Sequence, residues 1–82
     1  MNRYITFNVE RNEKAGILVA DWQDLSGPNM IITEDRDIFK LQMKVKKAVI
    51  DYFEPGQTPE SVLLYLAYKA AHIPIGIEPR PQ

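Results

Sequence analysis

Residues Glu34–Phe53 read EDRDIFKLQMKVKKAVIDYF and carry the clearest helical periodicity in the chain. At 100° per residue, six apolar side chains share one face and charged side chains fall on the opposite face. The apolar face comprises Ile38, Leu41, Val45, Ala48, Val49 and Tyr52. Thr33 is the predicted N-cap, because acidic residues follow it near the positive end of the helix dipole. The pattern predicts one amphipathic helix that packs on a sheet.

Three strand-like segments precede this helix. Tyr4–Glu10 alternates apolar and polar residues, and Ile17–Ala20 follows a charged connector as the second half of a hairpin. Met30–Thr33 is a β-branched run that is too short for a helix. Turn-forming residues at 23–29 separate the second strand from the third. The apolar side of the first strand carries Ile5, Phe7 and Val9.

The segment after the helix permits two interpretations. Glu54–Gln57 contains a proline and a glycine, which end the helix. Residues 59–71 could begin a second helix at Pro59, but such a helix would be apolar nearly all round. The alternation over Val62–Tyr68 favours a buried fourth strand instead.

A last apolar alternation follows, at Ile73, Ile75 and Ile77. Pro74 lacks an amide donor, so this piece is predicted to be an edge strand or a docking tail. Residues 78–82 are expected to fray. The predicted fold is therefore α+β: an antiparallel sheet with one helix on one face, in the order β-β-β-α-β, with a possible short C-terminal edge strand.

Length and composition set further bounds. Eighty-two residues, 45% of them hydrophobic, predict a single domain spanning residues 1–82, because two independent cores would not fit. A chain this short buries a limited share of its surface, which favours a homodimer. Ten basic and eleven acidic residues give a net charge of −1 and no general attraction to nucleic acid or to an anionic membrane.

The absence of cysteine excludes a disulfide scaffold, thiol catalysis and cysteine zinc sites. No apolar run approaches the roughly 20 residues that cross a bilayer, and Met1–Tyr4 leads into a strand without an apolar signal core. We therefore expect a cytoplasmic protein that has no contact with a membrane.

The residues that could support catalysis are few. His72 is the only histidine, and no glycine-rich phosphate loop or G-x-S-x-G turn is present. Asp21 and Asp24 flank Trp22 without calcium-loop spacing. An enzyme hypothesis requires Asp21, Asp24 and His72 within hydrogen-bond reach of one pocket. We expect no catalytic residue, no cofactor and no metal site.

Two surfaces of the predicted helix could bind partners. Phe39, Met43 and Ile50, here called the helix stripe, lie away from both the sheet-facing and the charged faces. We expect the helix stripe to be an interface with a partner or a second copy, or to be covered by the C-terminal tail.

The second surface is a line of lysines, Lys40, Lys44 and Lys47, that could meet nucleic-acid phosphates. Asp37 and Asp51 bracket it at helical spacing and would partly neutralise it. A solvated face is the favoured interpretation of these lysines. The alternative functions are nucleic-acid binding through them or a purely structural, oligomeric role. Four aromatic residues could stack on bases, but no basic residues are interleaved with them. These aromatic residues are Tyr4, Trp22, Tyr65 and Tyr68.

The order of motifs is similar to that of HicB-like antitoxin domains. Asp24–Gly27 resembles the family's D-L-P-G turn, Met30–Asp35 its short strand before the helix, and 52–59 the turn that precedes its last strand. The resemblance covers mainly Arg3–Phe53 and is closest to short members that lack a DNA-binding module. It implies the order β-β-β-α-β and a non-enzymatic, self-associating domain that binds a small toxin with ribonuclease activity.

The sequence departs from that family pattern in three places. Ser26 stands where the family has proline, and Arg36 and Asp37 replace residues of its helix-cap motif. The helix carries lysines instead of an acidic run, so the acidic helix face that could mimic RNA is missing.

Overall fold

The structure is a computed structural model that describes residues 4–25, 27–54 and 56–77. Its strands form one sheet in the order β3-β2-β1-β4-β5, and the helix lies across one side. The predicted α+β class, with one helix after three strands, is confirmed. The elements are β1 (Tyr4–Asn12), β2 (Ile17–Gln23), β3 (Met30–Asp35), α1 (Ile38–Tyr52), β4 (Ser61–Leu66) and β5 (Ala71–Gly76).

The sheet is mixed and not wholly antiparallel. Neighbouring strands pair antiparallel except β1 and β4, which pair in parallel from Tyr4 opposite Ser61 to Val9 opposite Leu66. The position of α1 explains the parallel pair. The helix runs back along the sheet, so that β4 starts at the same edge of the sheet at which β3 starts. The next strand then runs parallel to β3, and therefore parallel to β1.

The helix begins later than Glu34. Glu34 and Asp35 continue β3, where they pair with Val19 and Leu18 of β2. Because that ladder extends β3 beyond Thr33, Thr33 is a strand residue and the predicted N-cap was wrong.

Asp37 is the N-cap. Its carboxylate accepts from the amides of Phe39 at 2.7 Å and Lys40 at 3.3 Å. The helix ends at Tyr52, one residue before the predicted boundary.

The predicted apolar face of the helix is confirmed. Leu41, Val45 and Val49 are fully buried, and the other three members of that face are partly buried against the core. The buried residues of the strands alternate along β1, β2 and β4, so one side of the sheet supplies them. The core comprises Phe7, Val9, Leu18, Ala20, Ile31, Leu41, Val45, Val49, Val62, Leu64, Leu66 and Ile77.

The segment after the helix forms a strand, β4, as the alternation over Val62–Tyr68 predicted. β4 pairs with β1 on one side and with β5 on the other, so β5 is the predicted edge strand. Ile77 is buried, and its amide donates to the Glu60 carbonyl at 2.9 Å. The expected frayed tail, 78–82, lies outside the described residues.

Candidate interaction surfaces

One side of the sheet has no helix over it in the described part of the chain, and we call that side the open face. Ile32, Asp21, Asn8, Tyr65 and His72 form one row across all five strands in register. Burial alternates along the strands, so these side chains point away from α1. The open face therefore mixes apolar and polar side chains.

The open face is acidic. Glu10 and Glu34 are exposed on it and Asp21 is half-buried. Arg11 is the only lysine or arginine in the five strands, and alternation puts it on the helix side. The helix carries four lysines and one aspartate. The domain thus separates negative charge on the open face from positive charge on the helix.

The helix stripe divides into exposed and packed residues. Phe39 is 73% exposed and Met43 is 72% exposed. Ile50 is half-buried and packs against the core, so it offers less surface to a partner. Of the C-terminal tail that could cover this stripe, the part up to Gly76 forms β5 and pairs with β4, and residues 78–82 lie outside the described residues.

Both edges of the sheet disfavour the addition of another strand. On β3, the Lys44 ammonium donates to the Glu34 carbonyl at 2.9 Å. On β5, Pro74 has no amide hydrogen to offer. Because a charged side chain or a proline at an edge blocks pairing, contacts with other chains are directed to the faces of the domain.

The three lysines proposed for nucleic-acid contact are not equally available. Lys44 forms an ion pair with Asp35, with Nζ 3.0 Å from Oδ2. The pKa of Asp35 is lowered, first by the hydrogen bond from the Asp37 amide and then by Lys44. Lys40 and Lys47 are exposed. A phosphate contact at Lys44 would have to compete with Asp35.

The structure does not bring together the three residues of the enzyme hypothesis. Asp21 and His72 lie in one row but on β2 and β5, three strand spacings or roughly 14 Å apart. Asp24 is on the helix side, where it accepts from the Tyr52 hydroxyl at 2.6 Å. This particular constellation is therefore excluded.

The four aromatic residues are also dispersed. Trp22 belongs to a cluster with Phe7, Tyr52 and Phe53, with ring centroids 5.6–6.3 Å from its own. Tyr65 lies against His72, with ring centroids 4.9 Å apart. Tyr4 lies on the open face, and Tyr68 lies in the β4–β5 turn. They do not form one stacking platform.

One feature of the surface has no counterpart in any sequence motif. A cavity lies where the β1–β2 hairpin, the start of α1 and the β4–β5 turn meet. Arg11, Arg36 and Lys69 line it, yet these residues are far apart in the sequence and belong to no motif. Only the register of the sheet shows that they are neighbours.

No group of three or more His, Asp or Glu side chains within the described residues is arranged to hold a metal ion. No helix in that part of the chain has the length and apolar character needed to cross a bilayer. No family model, curated protein or solved structure matches this chain.

Proposed function

We propose that this chain is a non-enzymatic protein-interaction module that self-associates through its helix and binds a small basic protein on the open face. The uncovered, acidic side of the sheet is the observation that carries this proposal. The order of the first five elements agrees with the order implied by the resemblance to HicB-like antitoxin domains, which supports a toxin-type partner.

Charge selects the partner of the open face. Glu10, Asp21 and Glu34 attract a basic protein and repel nucleic acid. They would also repel the same three residues of a second copy in a face-to-face dimer. Self-association is assigned to the helix stripe because Phe39 and Met43 expose apolar side chains there, and the open face remains for a different protein.

The helix stripe supports weak self-association. Phe39 and Met43 are one turn apart on α1, so they can pack together against the same residues of a second copy. The helix has 15 residues and is about 22 Å long, and its contact is smaller than the roughly 800 Å² per partner of a standard interface. We expect a dimer that dissociates in the micromolar range.

Met43→Glu is expected to convert the dimer to a monomer, because it puts a charge in the centre of the apolar contact. Light scattering after size-exclusion chromatography over a range of protein concentrations measures the change. Ile32→Glu makes the same substitution at a 59% exposed position on the open face and should leave the dimer intact. A wild-type chain that stays monomeric at high micromolar concentration would contradict self-association.

A partner of the open face should depend on Glu10. The first step is to look for a gene next to this one that encodes a small basic protein, to coexpress the two chains, and to measure the affinity of the purified pair. Glu10→Lys is expected to weaken the complex about tenfold, since it replaces an attraction with a repulsion. Glu13→Lys makes the same change in the β1–β2 turn, off the open face, and serves as the control. Equal loss in both variants would show that only net charge matters.

A further inference from the structure

The cavity at the hairpin end of the sheet combines positive charge with apolar surface. It has a volume of about 220 Å³, and three separate segments of the chain contribute to it. Its lining residues are Arg11, Gly16, Leu18, Arg36, Ile38, Tyr68 and Lys69. Among these described residues, three side chains are cationic and none is acidic.

The cationic side chains are not neutralised by neighbouring carboxylates. Arg36 lies between Asp35 and Asp37 in the sequence, but the Asp35 carboxylate binds Lys44 and the Asp37 amide. The Asp37 carboxylate caps α1. Within the described residues, no carboxylate forms an ion pair with Arg36, Arg11 or Lys69. Their donors are therefore available to a ligand.

The turn that carries Tyr68 and Lys69 is held in place by the backbone. The Ala67 amide donates to Val9 of β1 at 3.1 Å, and the Lys69 amide donates to Leu66 at 3.0 Å. Ala70 closes the turn with φ of +52°, a conformation that alanine rarely adopts. These contacts fix the turn beside β1, the strand that contributes Arg11.

From this arrangement, we infer that the cavity binds a small phosphate monoester with an apolar or aromatic body. Arginine and lysine together suit a phosphate dianion, since arginine donates two parallel hydrogen bonds and lysine adds a point charge. Leu18, Ile38 and the Tyr68 ring supply the apolar surface for the rest of the ligand. The volume is below the range of about 300–1,000 Å³ that drug-sized ligands occupy, so the ligand is small.

This site is distinct from the two surfaces of the proposed function. Arg11 is on the helix side of the sheet, so the ligand would lie away from the acidic open face. Phe39 and Met43 do not line the cavity. Binding here would neither require a protein partner nor compete directly with one.

The test is a titration at low salt with three probes, phenyl phosphate, inorganic phosphate and phenol, followed by amide chemical shifts. Phenyl phosphate should bind most tightly, inorganic phosphate more weakly, and phenol not measurably. The shifted amides should cluster at Gly16, Arg36 and Lys69. Higher salt should weaken the binding of phenyl phosphate.

Arg36→Gln should weaken phenyl phosphate binding about tenfold, because it removes a hydrogen bond to a charged group. Lys47→Gln removes the same charge from the helix, outside the cavity, and should change the affinity less than about twofold. Both positions are exposed, and the spectra report whether each variant is folded. The inference is overturned if phenyl phosphate does not bind, shifts amides elsewhere, or binds the Arg36→Gln variant as tightly as the wild type. Equal affinity for phenyl phosphate and inorganic phosphate would overturn the apolar part of the proposed ligand.

Discussion

Replacing Phe7 by alanine is expected to remove about 3–5 kcal/mol from the free energy of unfolding. Phe7 is fully buried on β1, the central strand, where it lies in register with Leu64 of β4. Its ring centroid is 6.3 Å from that of Trp22. Because small domains have only about 5–15 kcal/mol of stability in total, the variant should be close to unfolding at physiological temperature.

Chemical denaturation followed by circular dichroism measures this loss. Thr6→Ala is the matched control, since Thr6 is the preceding residue on the same strand and is exposed on the open face. Its effect should stay within about 0.5 kcal/mol. A loss below about 1 kcal/mol in Phe7→Ala would show that the side of the sheet we assign to the core is not the buried one.

Trp22→Ala is expected to lower the free energy of unfolding by about 3 kcal/mol. This is the lower end of the range for tryptophan, because the side chain is only partly buried. The indole ring contacts Tyr52 and Phe53, so it joins β2 to the end of α1. Removing it should therefore speed amide hydrogen exchange selectively at the end of the helix. Equal acceleration throughout the helix would show that the cluster does not anchor that end.

Tyr52→Phe separates the hydrogen bond in this region from the ring packing. The hydrogen bond to Asp24 is the main cause that raises the pKa of Tyr52, followed by burial and the negative charge of Asp24. Because the pKa of Tyr52 is higher in the folded than in the unfolded protein, the hydrogen bond contributes its full stabilisation below the unfolded pKa of about 10. That stabilisation is lost as the pH rises through the folded pKa. Between neutral pH and the alkaline range, the wild type should lose more stability than Tyr52→Phe. Parallel profiles from denaturation at each pH would contradict this role.

Alternation and short β-branched runs predicted the strands of the fold, but they did not predict that β1 and β4 pair in parallel. Val62, Leu64 and Leu66 are buried at every second position, which distinguishes a strand from a helix once one side faces a core. The start of the helix was not predictable in the same way. Thr33 and Asp37 are both good caps in isolation, and the choice between them depends on pairing with β2, a contact distant in sequence.

The candidate sites were harder to predict than the fold. Helical spacing correctly separated Phe39 and Met43 from the buried face, but it could not show that Ile50 packs on the core. The acidic open face and the basic cavity depend on which strands are neighbours. The alternation along β1 predicts on which face of the sheet Glu10 and Arg11 lie. Their neighbours on that face can be identified only from the order of the strands.

The parallel pairing of β1 with β4 affects how the protein folds as it leaves the ribosome. Hairpins β1–β2 and β2–β3 can form early, since their strands are adjacent in the chain. The edge of β1 that pairs with β4 cannot form its hydrogen bonds until α1 and β4 have been synthesised. Until then, the backbone amides and carbonyls of that edge have no partner strand. The nascent chain therefore exposes its future central strand as a temporary edge, and this is the stage at which chaperones would have most to protect.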